Sequence, residues 1–178
     1  MKNVLWILMT VFLLMSCSHE PKWADEEEHD KTEQLFQKYG KLIIGTWHYE
    51  RTSEKHRFFE KLTFMADGTL TGSRKWQMRE LVTVDGKETY TDWEDLDMGN
   101  GTFSGHWSLG WQRSENPADG NYLSLVAGFD EPESPYMAYS SRNRFDSVDE
   151  KKLRFKNNDL FNRDDWTDYT RGDATPSF

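Results

Sequence analysis

From Leu42 to Arg171 apolar and aromatic residues return at every second position and are punctuated by Asp-Gly pairs, a pattern met by short strands joined through tight turns. Between Leu42 and Arg51, Ile43, Gly45, Trp47 and Tyr49 alternate with Ile44, Thr46, His48 and Glu50. Phe58 to Met65 sets Phe58, Leu62 and Phe64 on one face and runs into Ala66-Asp67-Gly68, a hairpin signal. Thr69 to Val84 returns from that turn with a break expected near Gly72, and Val84-Asp85-Gly86-Lys87 is a second turn of the same chemistry. Glu88–Trp93, Thr102–Leu109, Tyr122–Ala127, Tyr136–Val148, Leu153–Lys156 and Trp166–Arg171 complete the strands, separated by loops rich in Asp, Gly and Pro. About eight or nine strands with no helix between them predict an all-β antiparallel sandwich or barrel.

Ahead of the strands, Leu35, Phe36 and Tyr39 recur at helical spacing after an acidic start, and Gly40 is placed to end a short N-terminal helix. Residues 17–30 contain Asp25-Glu26-Glu27-Glu28 and no apolar period, which reads as a solvated acidic tether. The domain proper is expected over 31–172, with 173–178 as a disordered tail.

Residues 1–16 read as a signal peptide: Lys2 supplies the positive start and Val4 to Met15 an apolar stretch of about 12 residues, too short to span a bilayer. Leu14-Met15-Ser16-Cys17 resembles a bacterial lipobox. The resemblance implies cleavage before Cys17 and a thioether from its sulfur to diacylglycerol, and Ser18 directly after it is compatible with sorting to the outer membrane, so the expectation is a lipid-anchored outer-membrane protein on the periplasmic or cell-surface side. The alternative is an ordinary secretory signal with an incidental cysteine.

Cys17 is the only cysteine, so once it is lipidated no thiol remains for a disulfide or a nucleophile. The net charge of -9 argues against nucleic acid as a partner. Hydrophobic residues make up 36% of the chain while eight Trp, seven Tyr and eleven Phe bring aromatics to 15%, so large rings must supply much of the buried area.

Ile44-Gly45-Thr46-Trp47, Leu62-Thr63-Phe64 before Ala66-Asp67-Gly68-Thr69, and Gly105-His106-Trp107 together resemble the lipocalin-like lipoproteins of the Bacteroidetes. Asn143-Arg144-Phe145, Lys152-Leu153-Arg154-Phe155 and the closing Trp166 to Arg171 fit the same pattern. The resemblance implies an up-and-down lipocalin-like β-barrel. A glycine beside each tryptophan is expected to let the indole plug one barrel end while its N–H finds a carbonyl.

No Gly-x-Ser-x-Gly, His-Glu-x-x-His or phosphate-binding glycine loop is present, and no cofactor is implied. His48 and His106 alternate against Trp47 and Trp107 and are expected on the outer face. Asp92, Glu94, Asp95, Asp97 and Asn100 gather oxygen ligands suited to calcium without the spacing of an EF-hand loop, so no metal site is assigned. Trp76, Tyr90, Trp93, Trp107, Trp111, Tyr122, Tyr139 and Phe145 are read as an aromatic interior. Within it Trp107, Tyr139, Ser141 and Asn143 are the candidate walls of a pocket for a small amphipathic ligand, with Trp47 closing its base. Two alternatives stand beside this: a filled barrel whose exposed Trp93 and Trp111 meet a protein partner, and a glycan- or calcium-dependent surface binder.

Overall fold

The computed structural model describes residues 23–96, 99–114, 120–130, 137–156 and 166–178. The predicted signal peptide and Cys17 lie outside them. The elements run α1 (Trp23–Ile43), β1 (Gly45–Thr52), β2 (His56–Phe64), β3 (Thr69–Met78), β4 (Leu81–Val84), β5 (Lys87–Tyr90), β6 (Glu94–Asp95), β7 (Gly101–Trp111), β8 (Asn121–Phe129), β9 (Met137–Val148), β10 (Lys152–Lys156) and β11 (Trp166–Arg171).

Eight strands close into an antiparallel up-and-down barrel in the order β1-β2-β3-β7-β8-β9-β10-β11, with β11 returning to β1. The β4–β5 hairpin is inserted between β3 and β7, and β6 adds two residues to the far end of β3. All these strands and the helix lie within residues 23–178, so a chain starting at residue 18 retains the whole closed unit.

Both predicted turns form. Gly68 takes φ 85° while the Asp67 carboxylate accepts the Thr69 N–H at 2.9 Å, and Asp85 and Gly86 take φ 52° and 75°, the left-handed pair that a two-residue hairpin requires. The break expected near Gly72 is absent. A Cβ there would sit 2.3 Å from the Phe103 ring and 2.5 Å from the Lys61 carbonyl, so this glycine admits a neighbour within a continuous strand.

The helix is longer than expected and overrides two sequence expectations. It begins at Trp23, inside the segment read as tether, because acids near a helix N-terminus favour the macrodipole and because Glu27 and Glu28 find partners. Glu27 pairs with Lys31 at 2.8 Å and with Arg113 at 2.6 Å, and Glu28 accepts the Arg113 backbone N–H at 3.0 Å. It also passes through Gly40, which is buried against the Phe36 ring, and ends at Ile43. Leu35, Tyr39 and Ile43 recur every four residues and turn toward the barrel, where Tyr39 meets Phe145 edge-on at 5.2 Å. The helix thereby covers the end of the barrel formed by Gly45, Trp107 to Trp111 and Phe145.

The C-terminal segment is likewise not a free tail. Lys61 holds Asp173 at 2.9 Å, Ser177 bonds the Glu50 carboxylate through both its N–H and its hydroxyl, and Phe178 lies against Arg57 and Lys75. Phe59 points outward from β2 yet is 2% exposed, and its ladder partners Glu50 and Lys75 are residues this segment touches. The segment is thus a strap over the β1–β2–β3 wall.

Candidate functional site

The two Gly-x-Trp motifs build the covered end. The Trp47 indole is fully buried and donates its N–H to the Ile43 carbonyl at 2.8 Å; the Trp107 N–H reaches the Met65 carbonyl at 3.0 Å, beneath the Phe36 ring. The neighbouring glycines make room for something other than the indole. Gly45, at φ 129°, would place a Cβ 2.7 Å from the Arg171 guanidinium, which lies 4.2 Å over the Trp47 ring and donates to the Ile44 and Leu42 carbonyls. Gly105 would drive a Cβ to 2.0 Å from the Val126 carbonyl of the adjacent strand.

Farther along the interior, toward the end away from α1, the apolar core is interrupted by charge. Glu60 lies between Phe58 and Leu62 on the inward face of β2 and is 0% exposed. Directly opposite on β3, Arg74 turns Nε and Nη2 onto one Glu60 oxygen at 2.9 and 2.7 Å. The other Glu60 oxygen accepts the Tyr169 hydroxyl from β11, and the Tyr139 hydroxyl of β9 contacts both Glu60 and Arg74. Four strands therefore converge on one ion pair.

Rings enclose the guanidinium: Tyr139 at 5.0 Å, Phe103 at 5.7 Å, and Phe58 and Phe129 at 5.9 Å. The Arg74 side chain keeps 13% of its surface, whereas its carboxylate partner keeps none. Burial is the strongest single influence and works against the Arg74 charge, but Glu60 and Tyr139 together, through charge and hydrogen bonds, more than offset it and hold the guanidinium ionised. Burial, reinforced by the Glu60 charge, pushes the Tyr139 and Tyr169 phenols above their ordinary value. At neutral pH the guanidinium is charged and both phenols are neutral. Inward-facing Tyr49 and Phe129 are only half-buried here, so the interior meets solvent from this side.

The residues singled out from the sequence divide between these levels. Trp47 and Trp107 belong to the covered end, and Tyr139 to the charged cluster. Ser141 and Asn143 lie between the two levels on β9, with the Ser141 hydroxyl donating to the Asn143 carbonyl oxygen at 3.2 Å and the Asn143 amide reaching the Leu123 carbonyl at 3.4 Å. The expected aromatic interior holds Trp76, Trp107, Trp111, Tyr139 and Phe145, but Tyr90, Trp93 and Tyr122 lie outside it. Tyr122 instead packs over Gly110 beside Arg142, since the pleat turns it outward. Nor are Trp93 and Trp111 exposed loop anchors. Trp111 is 8% exposed under Lys31 of the helix, and Trp93 is half-buried between Arg57 and Arg79.

Glu60 and Arg74 were missed, although the signal was present: a charged residue at an inward position of a period-two strand, opposite another across a hairpin whose turn sets the register. His48 and His106 do face outward, His48 toward the Gly172 carbonyl at 3.1 Å. Among the described residues no three His, Cys, Asp or Glu side chains converge as a metal site. Of the acidic loop, Asp97 lies outside the described residues, while Asn100 bonds the Trp76 backbone through both amide atoms at 2.6 and 3.0 Å and Asp95 accepts Gln77 at 2.7 Å.

No protein-family model matches this chain, and no curated protein or solved structure matches it significantly.

Proposed function

We propose that this protein is a lipid-anchored binding barrel, tethered through Cys17 to the outer membrane, that takes a small amphipathic molecule into the half of the barrel away from α1. The observation that carries the reading is the Glu60–Arg74 ion pair inside an interior built mostly of apolar and aromatic side chains. An ion pair in such a place is weak as a source of stability, because desolvating both charges offsets their attraction, and apolar side chains of like volume do as well or better. Its position at the solvent-reached level of the barrel, ringed by Phe58, Phe103, Phe129 and Tyr139, fits a site with apolar walls and a few fixed polar contacts. Tyr139 takes part directly; Trp47 and Trp107 support the site by sealing the opposite end.

The test incubates the chain starting at residue 18 with a lipid and metabolite extract of the source organism and identifies by mass spectrometry what co-purifies. A stoichiometric small molecule, lost on replacing Arg74 and Glu60 by Met and Leu in a protein that stays folded, is the expected result. A protein that emerges empty and excludes apolar fluorescent probes overturns the reading.

One feature favours a second reading, a protein-interaction module. The β4–β5 hairpin stands off the barrel as a separate two-stranded sheet with Leu81 41% and Val84 54% exposed.

A further inference from the structure

The barrel wall is not uniformly laced. β1 pairs with β2 along its whole length, from Gly45↔Phe64 to Thr52↔Arg57, and β11 pairs with β10 from Trp166 to Thr170. Across the closing seam, however, β1 and β11 pair only at Trp47↔Arg171 and His48↔Thr170, extended by one bond from the Gly172 N–H to the Thr46 carbonyl at 2.9 Å.

That bond fixes the phase of the ladder: the even-numbered residues of β1 turn their backbone groups toward β11. Continued in register, Glu50 would face Asp168 and Thr52 would face Trp166. All four are described, and none has a ladder partner across the seam. Strands that stop pairing inside a closed barrel leave backbone groups to be satisfied by water, which makes this, among the described residues, an easily parted place in the wall.

The side chains behind the gap are those of the charged cluster. Tyr49 and Tyr169 meet there with ring centres 5.5 Å apart, and the Tyr169 hydroxyl donates to Glu60. Tyr169 is fully buried while Tyr49 is half-buried, so Tyr49 is the outer of the two rings.

We propose that ligand reaches the Glu60–Arg74 cluster sideways, through the seam between β1 and β11 beyond His48 and Thr170, and that Tyr49 is the ring that must turn aside. The proposal rests on the binding reading above and adds its route and a residue that governs access.

The test uses the chain starting at residue 18, which contains no cysteine, carrying Glu50→Cys and Asp168→Cys. Both positions point outward, and a disulfide between them laces the seam. Uptake and release of anilinonaphthalenesulfonate are followed by stopped-flow fluorescence in the oxidised and the reduced forms of the same protein. The expected result is that oxidation slows both rates at least about tenfold and reduction restores them, with little change in the equilibrium end-point. Equal rates in the two forms overturn the lateral route.

Should the disulfide fail to form, Tyr49→Ala decides. Both rates are then expected to rise at least about tenfold, and rates equal to those of the unaltered chain overturn the proposal. A chain that takes up no probe in any form overturns the binding reading itself, a different outcome from binding with unaltered rates.

Discussion

The Arg57 guanidinium lies 4.1 Å from the centre of the Trp93 ring, and Arg79 covers the same ring at 4.4 Å. The stack continues on both sides, through Arg79 to Tyr90 at 4.3 Å and through Arg57 to Phe178 at 5.5 Å. Alternating cations and rings thus tie the β4–β5 arm, the barrel wall and the C-terminal strap into one ladder. A two-stranded hairpin is marginal by itself in water, so the ladder has a definite task.

Trp93→Ala removes the middle rung. Amide exchange over residues 81–90 is expected to accelerate while the barrel strands keep their protection, because exposed cation–π contacts contribute only about 0.5–1 kcal/mol each. Unchanged protection of the arm in the variant would mean that other contacts hold it.

Removing one member of the buried pair should cost far more than removing both. Glu60→Gln or Arg74→Met is expected to destabilise the barrel by about 3–5 kcal/mol, since each leaves a desolvated charge without its counter-ion. Glu60→Leu combined with Arg74→Met should recover most of that loss. Urea unfolding of the three variants checks it, and additive costs would contradict the pairing.

The cluster also sets an alkaline limit. Tyr139 and Tyr169 have phenol pKa values raised by burial and by the Glu60 charge, so above pH 10 the unfolded chain gives up these protons more readily than the folded one. Their contribution is complete below that pH and is lost progressively as the pH rises beyond it. Phenolate absorbance should show both rings silent until the protein unfolds. Tyr139→Phe with Tyr169→Phe should flatten the alkaline fall in stability.

At the covered end, Gly45→Ala forces a side chain into φ 129° and against the Arg171 guanidinium. A loss of about 1–3 kcal/mol is expected from the backbone strain alone. Because the clash also displaces Arg171 from Trp47 and from the Leu42 and Ile44 carbonyls, Gly45→Ala and Arg171→Met should be markedly less than additive in thermal unfolding.

What could be read from the chain was local in its physics. Period two along β1, β2 and β7 identifies inward positions, Asp67-Gly68 and Asp85-Gly86 carry the left-handed φ their turns need, and an indole N–H that must be buried implies a carbonyl nearby. Even the Glu60–Arg74 pair was implicit, because a turn centred on residue 67 sets those two opposite each other. The misreadings came where a local pattern has two outcomes. An acidic run is a tether in water but the first turns of a helix when Arg113 is there to meet it, and a polar C-terminus is loose unless Glu50, Arg57 and Lys61 await it.

The sequence by itself determined an all-β chain, the hairpin turns and the inward faces of β1, β7 and β9, because each follows from the pleat and from φ preferences acting over a few neighbouring residues. Only the tertiary structure decided that Tyr169 and Tyr139 join Glu60 and Arg74, that Arg171 caps Trp47, and that the seam stops at His48 and Thr170. Those contacts join residues from 65 to 124 positions apart, as the Arg74–Tyr139 and Trp47–Arg171 numbering gives, and only closure of the barrel brings them within bonding distance.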